Sequence, residues 1–228
     1  MNSNKKTARI VGALFLIAIV ASLAGGLWLE TFLGAPDYLN SVSENKTQVI
    51  TGVLLELVNG IAVIGIAVGL YPLFRKKFEA LALGYVALRI IEAIIIIAAV
   101  ISPITLIALG QGTADASNFQ SSGALLLAIR SILVGQITGI FFSLAALLLF
   151  YLLYQTKLVP RFISVWGLIS VALVLAWNLI ELYGITVSFG MILALPMILN
   201  EIFLAIWLIV KGFSSSAIAP EASEMDIK

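Results

Sequence analysis

Val86-Ala87-Leu88-Arg89-Ile90-Ile91-Glu92-Ala93-Ile94-Ile95-Ile96-Ile97-Ala98-Ala99-Val100 is the stretch that decides the reading of this chain. It is apolar on every side except for Arg89 and Glu92, which stand three residues apart. A surface helix of a soluble domain keeps a polar face, whereas a helix that is apolar all round is buried in protein or lipid. The apolar run extends from Ala80 to about Leu109, and about 20 such residues cross a bilayer. The stretch therefore predicts a transmembrane helix carrying two charges on one face.

Working outward, further apolar runs fill most of the chain. The predicted spans are residues 10–29, 48–74, 80–109, 123–154, 162–183 and 187–210. Together they make one transmembrane bundle over residues 1–212, followed by a polar tail at 213–228 that reads as disordered. The fourth run is long for one perpendicular span, so its first turns are expected to project or tilt. Between the first two runs, Pro36 to Lys46 suits a short helix on the membrane surface. The Gly-, Ser- and Asn-containing stretch from Gly110 to Ser122 reads as a loop. The basic flank of the first run and Ser22-Leu23-Ala24 would also suit a signal peptide. The run continues past that point far enough to span, which favours a retained helix.

Composition agrees. The 228 residues are 61% hydrophobic and 11% charged, against about 45–50% and about 25% in soluble domains. Mean hydropathy is +1.13. Basic residues set the orientation by the positive-inside rule. Lys5, Lys6 and Arg9, then Arg75, Lys76 and Lys77, then Lys157 and Arg161, then Lys211 fall on one side, and the opposite loops carry only Lys46. The expectation is an all-α polytopic bundle of six spans, N- and C-termini cytoplasmic, in a bacterial cytoplasmic membrane.

The same composition narrows function. A net charge of +1 supplies no basic field for nucleic acid. Cysteine and histidine are both absent. Disulfides, thiol chemistry, Cys/His zinc sites and Ser-His triads are thereby excluded. No P-loop is present, and no catalytic residue, metal site or cofactor is expected.

The remaining chemistry lies in polar residues within the spans. A charge at the bilayer centre costs about 2.5–3.5 kcal/mol on insertion scales and normally faces the bundle interior. The candidate ligand-binding set is Glu56, Asn59, Arg89, Glu92, Arg130, Asn200 and Glu201. Counting about 1.5 Å per residue puts Arg89, Glu92 and Glu201 near mid-membrane and Arg130 and Glu181 near the outer boundary. Arg89 would pair with Glu92, Glu56 or Glu201, and Arg130 with Glu181. Two carboxylates are then left over, to be protonated, hydrated in a cavity or matched by a bound cation. Pro196 in the last run predicts a kink one turn before Asn200. Gly65 with Gly69, and Ser131, Gly135 and Gly139, are small-residue ladders that suit close helix packing or a homo-oligomer seam.

Several segments carry a family resemblance. They are Lys6-Thr7-Ala8-Arg9-Ile10-Val11-Gly12, Arg89-Ile90-Ile91-Glu92, Gly123 through Arg130, Lys157-Leu158-Val159-Pro160-Arg161 with Trp166-Gly167-Leu168-Ile169, and Glu201 leading into Ala205 through Phe213. In order and spacing, from about residue 5 to 215, the chain resembles a bacterial membrane family called domain of unknown function 4386. The resemblance implies a multi-span inner-membrane protein and carries no assigned activity. It also implies Asp after the fourth-span arginine, where this chain has Ser131.

Three functions compete on the sequence alone. Binding or transport of a cationic or zwitterionic small molecule, or of an ion, through a polar path in the outer half is the first. An accessory role, with a partner membrane protein or a second copy docked on the glycine faces, is the second. An intramembrane lipid-modifying enzyme is the third. It would use carboxylate acid/base pairs, and it lacks a histidine or a nucleophile beside a base.

Overall fold

The computed structural model describes residues 3–111 and 116–214, and the described residues form helices joined by short turns, with no strand among them. The helices are α1 (Ser3–Leu33), α2 (Tyr38–Glu44), α3 (Lys46–Ala99), α4 (Ile101–Gly110), α5 (Ala116–Ile132), α6 (Thr138–Thr156), α7 (Arg161–Leu182) and α8 (Gly190–Val210). A single π-helical turn, Leu133–Ile137, joins α5 to α6. Five helical stretches are long and apolar enough to cross a membrane: Asn4–Leu33, Lys46–Gly110, Gln120–Thr156, Arg161–Leu182 and Gly190–Val210. The protein is an all-α membrane protein. The tail expected to be disordered lies, from residue 215 on, outside the described residues, as do residues 112–115 of the expected loop.

Helix α3 has 54 residues. Straight, it would measure about 80 Å, far beyond the hydrocarbon thickness of about 30 Å. It bends at Phe78, whose backbone (φ −139°, ψ 59°) leaves the helical region. The bend follows Pro72 and the charged run Arg75-Lys76-Lys77, which keeps its heads in water. The arms, 46–77 and 79–99, fold back on one another. Gly60 faces Ala93 and Ile96, and the Phe74 ring meets the Tyr85 ring edge-on at 6.3 Å.

Two expected spans are subdivided. The third run breaks at Val100, where α4 starts with Pro103 in its first turn. Proline is tolerated there because it lacks only an N–H that a first turn leaves unpaired. The fourth run begins at Ala116, so the stretch read as a loop up to Ser122 is partly helical. It then inserts one residue at the π turn, where Thr138 Oγ1 donates to the Leu133 carbonyl five residues back at 2.8 Å. The short surface helix expected between residues 36 and 46 is α2.

Helix ends use the expected chemistry. Lys157 closes α6 in the left-handed conformation (φ 53°), and Pro160 caps the start of α7. Gly212 (φ 77°) ends α8, its N–H donating to the Trp207 carbonyl at 3.2 Å. Beyond it, Ser214 N–H donates to the Leu158 carbonyl at 2.9 Å. This ties the end of α8 to the α6–α7 turn.

Packing closes a ring: α1 lies on α3 and α8, α8 on α7, α7 on α6, and α6 on α3. Two apolar clusters fill it. The larger holds Phe15, Phe74, Tyr85, Leu149 and Phe150, and the smaller, towards α2 and α4, holds Leu29, Val42, Val49 and Leu106. Small residues permit the close approaches. A Cβ at Gly12 would stand 2.6 Å from the Ala205 carbonyl of α8, and one at Gly69 would stand 2.8 Å from Val11 of α1. Gly135, in contrast, faces open space. Gly12→Ala should therefore destabilise by about 1–3 kcal/mol, as overpacking does. Gly135→Ala should be neutral or slightly stabilising through helix propensity. Thermal unfolding in one mild detergent compares the two.

Candidate functional site

The polar side chains form two tiers. The first sits between the two apolar clusters. Arg130 at the end of α5 reaches Glu56 in the first arm of α3 with both terminal nitrogens: Nη1 donates to Oε2 at 3.1 Å and Nη2 to Oε1 at 2.5 Å. Nη1 also donates to the Ala99 carbonyl at 3.0 Å. That carbonyl is free because its helical partner four residues on is Pro103, which has no N–H. One guanidinium thus ties α5 to both arms of α3. Gly25 of α1 leaves room for the Glu56 side chain, since a Cβ there would stand 3.3 Å from Glu56 Cγ.

This arrangement differs from the expected pairing. Arg130 is buried rather than snorkelled to a boundary, and Glu181 is half-exposed at the end of α7. The physical reason is direction: Arg130 turns towards α3, where the Glu56 carboxylate and the Ala99 carbonyl both accept from it.

The second tier lies at mid-length of the helices. Arg89 Nη1 donates to Glu92 Oε2 at 2.9 Å and to Oε1 at 3.2 Å, one turn along the same arm. Its guanidinium carbon stands 5.6 Å from the Tyr85 ring centre and 5.4 Å from the Phe142 ring centre. Its Nε and Nη2 carry no conventional hydrogen bond, and the aromatic faces take that side of the cation. Arg89 is 1% exposed and Glu92 3%, so the pair is enclosed.

Glu201 on α8 completes this tier. It makes no hydrogen bond and no ion pair within 4 Å among the described residues, although it is only 9% exposed. Arg89, Glu92 and Glu201 line a common cavity of about 240 Å³. Asn59, half-buried one turn from Glu56, and Thr138, just past the π turn, add neutral polar groups to its wall. Phe15, Ile19, Val63, Ile66, Phe142 and Ile198 make most of the remainder apolar. Ser22 and Leu23 of α1 are wall residues that are themselves exposed, so the cavity is open on that side.

Asn200 is fully buried and turns away from this cavity. Its Nδ2 donates to the Ile163 carbonyl of α7 at 3.0 Å, which ties α8 to α7. The structure therefore brings Arg89, Glu92, Glu201 and Asn59 together, sets Glu56 and Arg130 one tier away, and leaves Asn200 in a helix contact. Residues outside the predicted set are Phe142, Tyr85 and Thr138. Phe142 and Tyr85 carry no mark in an aromatic-rich chain, and Thr138 enters through the π turn, which no local motif announces. Such single-turn bulges recur at functional sites. A second cavity, of about 380 Å³, lies beyond the Arg130–Glu56 clasp and is lined by Glu30, Arg130 and Ser131 among others.

The arrangement offers charge and shape, without a nucleophile beside a base. Among the described residues no group of acidic side chains is placed to hold a metal ion.

Removing one partner of a buried ion pair costs about 3–5 kcal/mol because the other charge is stranded. Arg130→Leu should lose stability on that scale. Adding Glu56→Leu to it should recover a large part, which a double-mutant cycle of melting measurements resolves.

No curated protein and no solved structure matches the chain. The model of the family described as Domain of unknown function (DUF4386) matches residues 10–212, and the chain belongs to that family.

Proposed function

We propose that this protein binds a small molecule or ion in the mid-length cavity and either carries it across the bacterial cytoplasmic membrane or reports its presence. The observation that carries the reading is the cavity itself, because it joins a fixed Arg89–Glu92 pair to an unpaired carboxylate, Glu201. Charged groups at this depth are costly, and in membrane proteins they mark binding sites and ion pathways. Packing alone is served by the Arg130–Glu56 clasp and by Asn200 on Ile163, and neither of these needs a cavity.

Six spans are the count that fits the bend at Phe78, with α3 contributing two and the α5–α6 stretch one. The site then lies near the bilayer midplane. The predicted polar path starts at the outer cavity, passes the Arg130–Glu56 clasp and ends at Glu201. Cytoplasmic termini are supported by the gathering of basic residues at one end. Lys5 of α1 lies beside Gly212 at the end of α8, and the α6–α7 turn bearing Lys157 meets Ser214. An accessory role has one observation in its favour: Gly26 and Gly135 present open small faces on which a partner helix or a second copy could rest.

The absence of cysteine makes topology directly testable. In intact cells a membrane-impermeant maleimide should label Asn45→Cys and spare Thr156→Cys until the membrane is opened. Equal labelling of both would remove the orientation. For the binding reading, native mass spectrometry from mild detergent should show a small molecule retained by the wild type and lost from Arg89→Leu and Glu92→Gln. A bare wild type whose variants merely melt earlier would leave the accessory reading.

A further inference from the structure

We infer that the mid-length cavity takes an organic monocation with an apolar body, and that the cation and a proton occupy Glu201 in turn. This rests on the binding reading above and names its ligand class.

The argument is a charge count. Three ionisable side chains line the cavity: Arg89, Glu92 and Glu201. The Arg89 charge is already met twice, by Glu92 at 2.9 Å and by the faces of Tyr85 and Phe142. Its Nε and Nη2 are closed to solvent, and with two carboxylates to one guanidinium the lining is already one unit negative, which disfavours an anionic ligand. Glu92 is met by Arg89 through both carboxylate oxygens. Glu201 alone remains, nine-tenths buried and without an ion-pair partner. One uncompensated carboxylate in an apolar enclosure is matched either by a proton or by one positive charge from outside.

The groups that face Glu201 come from every neighbouring helix. The second arm of α3 supplies Arg89, Glu92 and Tyr85. The first arm supplies Asn59, α1 supplies Ser22, and α6 supplies Thr138, all neutral. On α7 the Ile163 carbonyl meets this turn of α8 and is held by Asn200. Among the described residues the charges that act on Glu201 are Arg89 and Glu92.

The wall selects the rest of the ligand. Phe15, Phe142, Ile19, Val63, Ile66 and Ile198 offer apolar and aromatic surface, which a bare metal ion cannot use and which would strip its hydration. Aromatic faces also favour an organic ammonium. Exposed Ser22 and Leu23 in the wall give such a molecule a lateral way in. The exchange balances simply. The Glu201 carboxylic acid releases its proton to water, the carboxylate forms an ion pair with the ammonium, and the reverse step returns a proton from water to the carboxylate and frees the ammonium.

The test compares three probes that share a phenyl body: 2-phenylethylammonium, phenylalanine and phenylacetate. They carry a positive, a zwitterionic and a negative head. Calorimetry of the purified full chain is run from pH 5 to 9 in buffers of differing ionisation enthalpy. The expected result is binding of 2-phenylethylammonium alone, with close to one proton released per molecule at the acidic end. Affinity should weaken by up to tenfold per pH unit there. Glu201→Gln should lose at least tenfold in affinity together with the proton release, Glu201→Asp should regain part of both, and Glu181→Gln should match the wild type. Melting curves confirm that the variants fold. Cation binding that survives Glu201→Gln, or that releases no proton anywhere in the range, overturns the inference. Retention of phenylalanine or phenylacetate in place of the cation, lost in Arg89→Leu, overturns it too while leaving the cavity as a binding site. No binding of any probe, with a bare protein by native mass spectrometry, removes both.

Discussion

The clasp of Arg130 on Glu56 and the Ala99 carbonyl is the interaction on which the rest of the bundle depends. In hydrocarbon no water meets an unpaired polar group, so each must find its partner within the protein. A guanidinium that takes two carboxylate oxygens and a carbonyl joins its own helix to both arms of α3 at once. The contact has exacting geometry. It needs Pro103 to leave the Ala99 oxygen free, Gly25 to admit the Glu56 side chain, and α5 to present Arg130 towards α3. The clasp thereby fixes the rotation of both α3 arms, and through them the direction in which Arg89 and Glu92 point.

What the clasp positions is a second tier of a different character. Arg89 and Glu92 are held by each other and by two aromatic rings, so their geometry is set before any ligand arrives. Preorganisation of this kind lowers what a binding event must spend on ordering the site. Glu201 sits on another helix with no such restraint. The ring of α1, α3, α6, α7 and α8 leaves space where these residues meet instead of closing on it. Pro196, one turn before Glu201's neighbour Asn200, removes a backbone hydrogen bond in the same part of α8. The tie of Asn200 to α7 gives Glu201 an anchor on the residue beside it.

The parts of this organisation that could be read from sequence are those governed by local spacing. Arg89 and Glu92 stand three apart on a helix, and that spacing alone brings them into contact. The bend at Phe78 was foreshadowed by three consecutive basic residues. The Glu56–Arg130 clasp spans 74 positions, and no local rule links them. Depth counting assigned Arg130 to Glu181, but depth does not say which neighbouring helix a side chain faces, and the guanidinium turns to α3. Pro103 lies near the far end of the third run, and its consequence, a carbonyl left for an arginine to use, exists only once α5 is packed beside α3. The π turn left no trace, because one inserted residue changes the helical phase without changing composition.

The burial of Glu201 is the argument against a purely structural account of the cavity. A residue whose only task is packing at this depth would be favoured as Leu or Met, since replacing buried charge by well-packed apolar groups is neutral or stabilising in many cases. Arg89 and Glu92 escape that argument because they satisfy one another, and so do Arg130 and Glu56. Glu201 does not: it carries the desolvation cost of a carboxylate, and among the described residues Arg89, already paired with Glu92, is the one cation that acts on it, from beyond ion-pair distance. The cost is met whenever a proton or a cation arrives, and an enclosed space with an open side is what such an arrival needs. On the proposed reading, a carboxylate, a cavity and an entrance at one level of the bundle form one device, with the paired charges around it as its fixed frame.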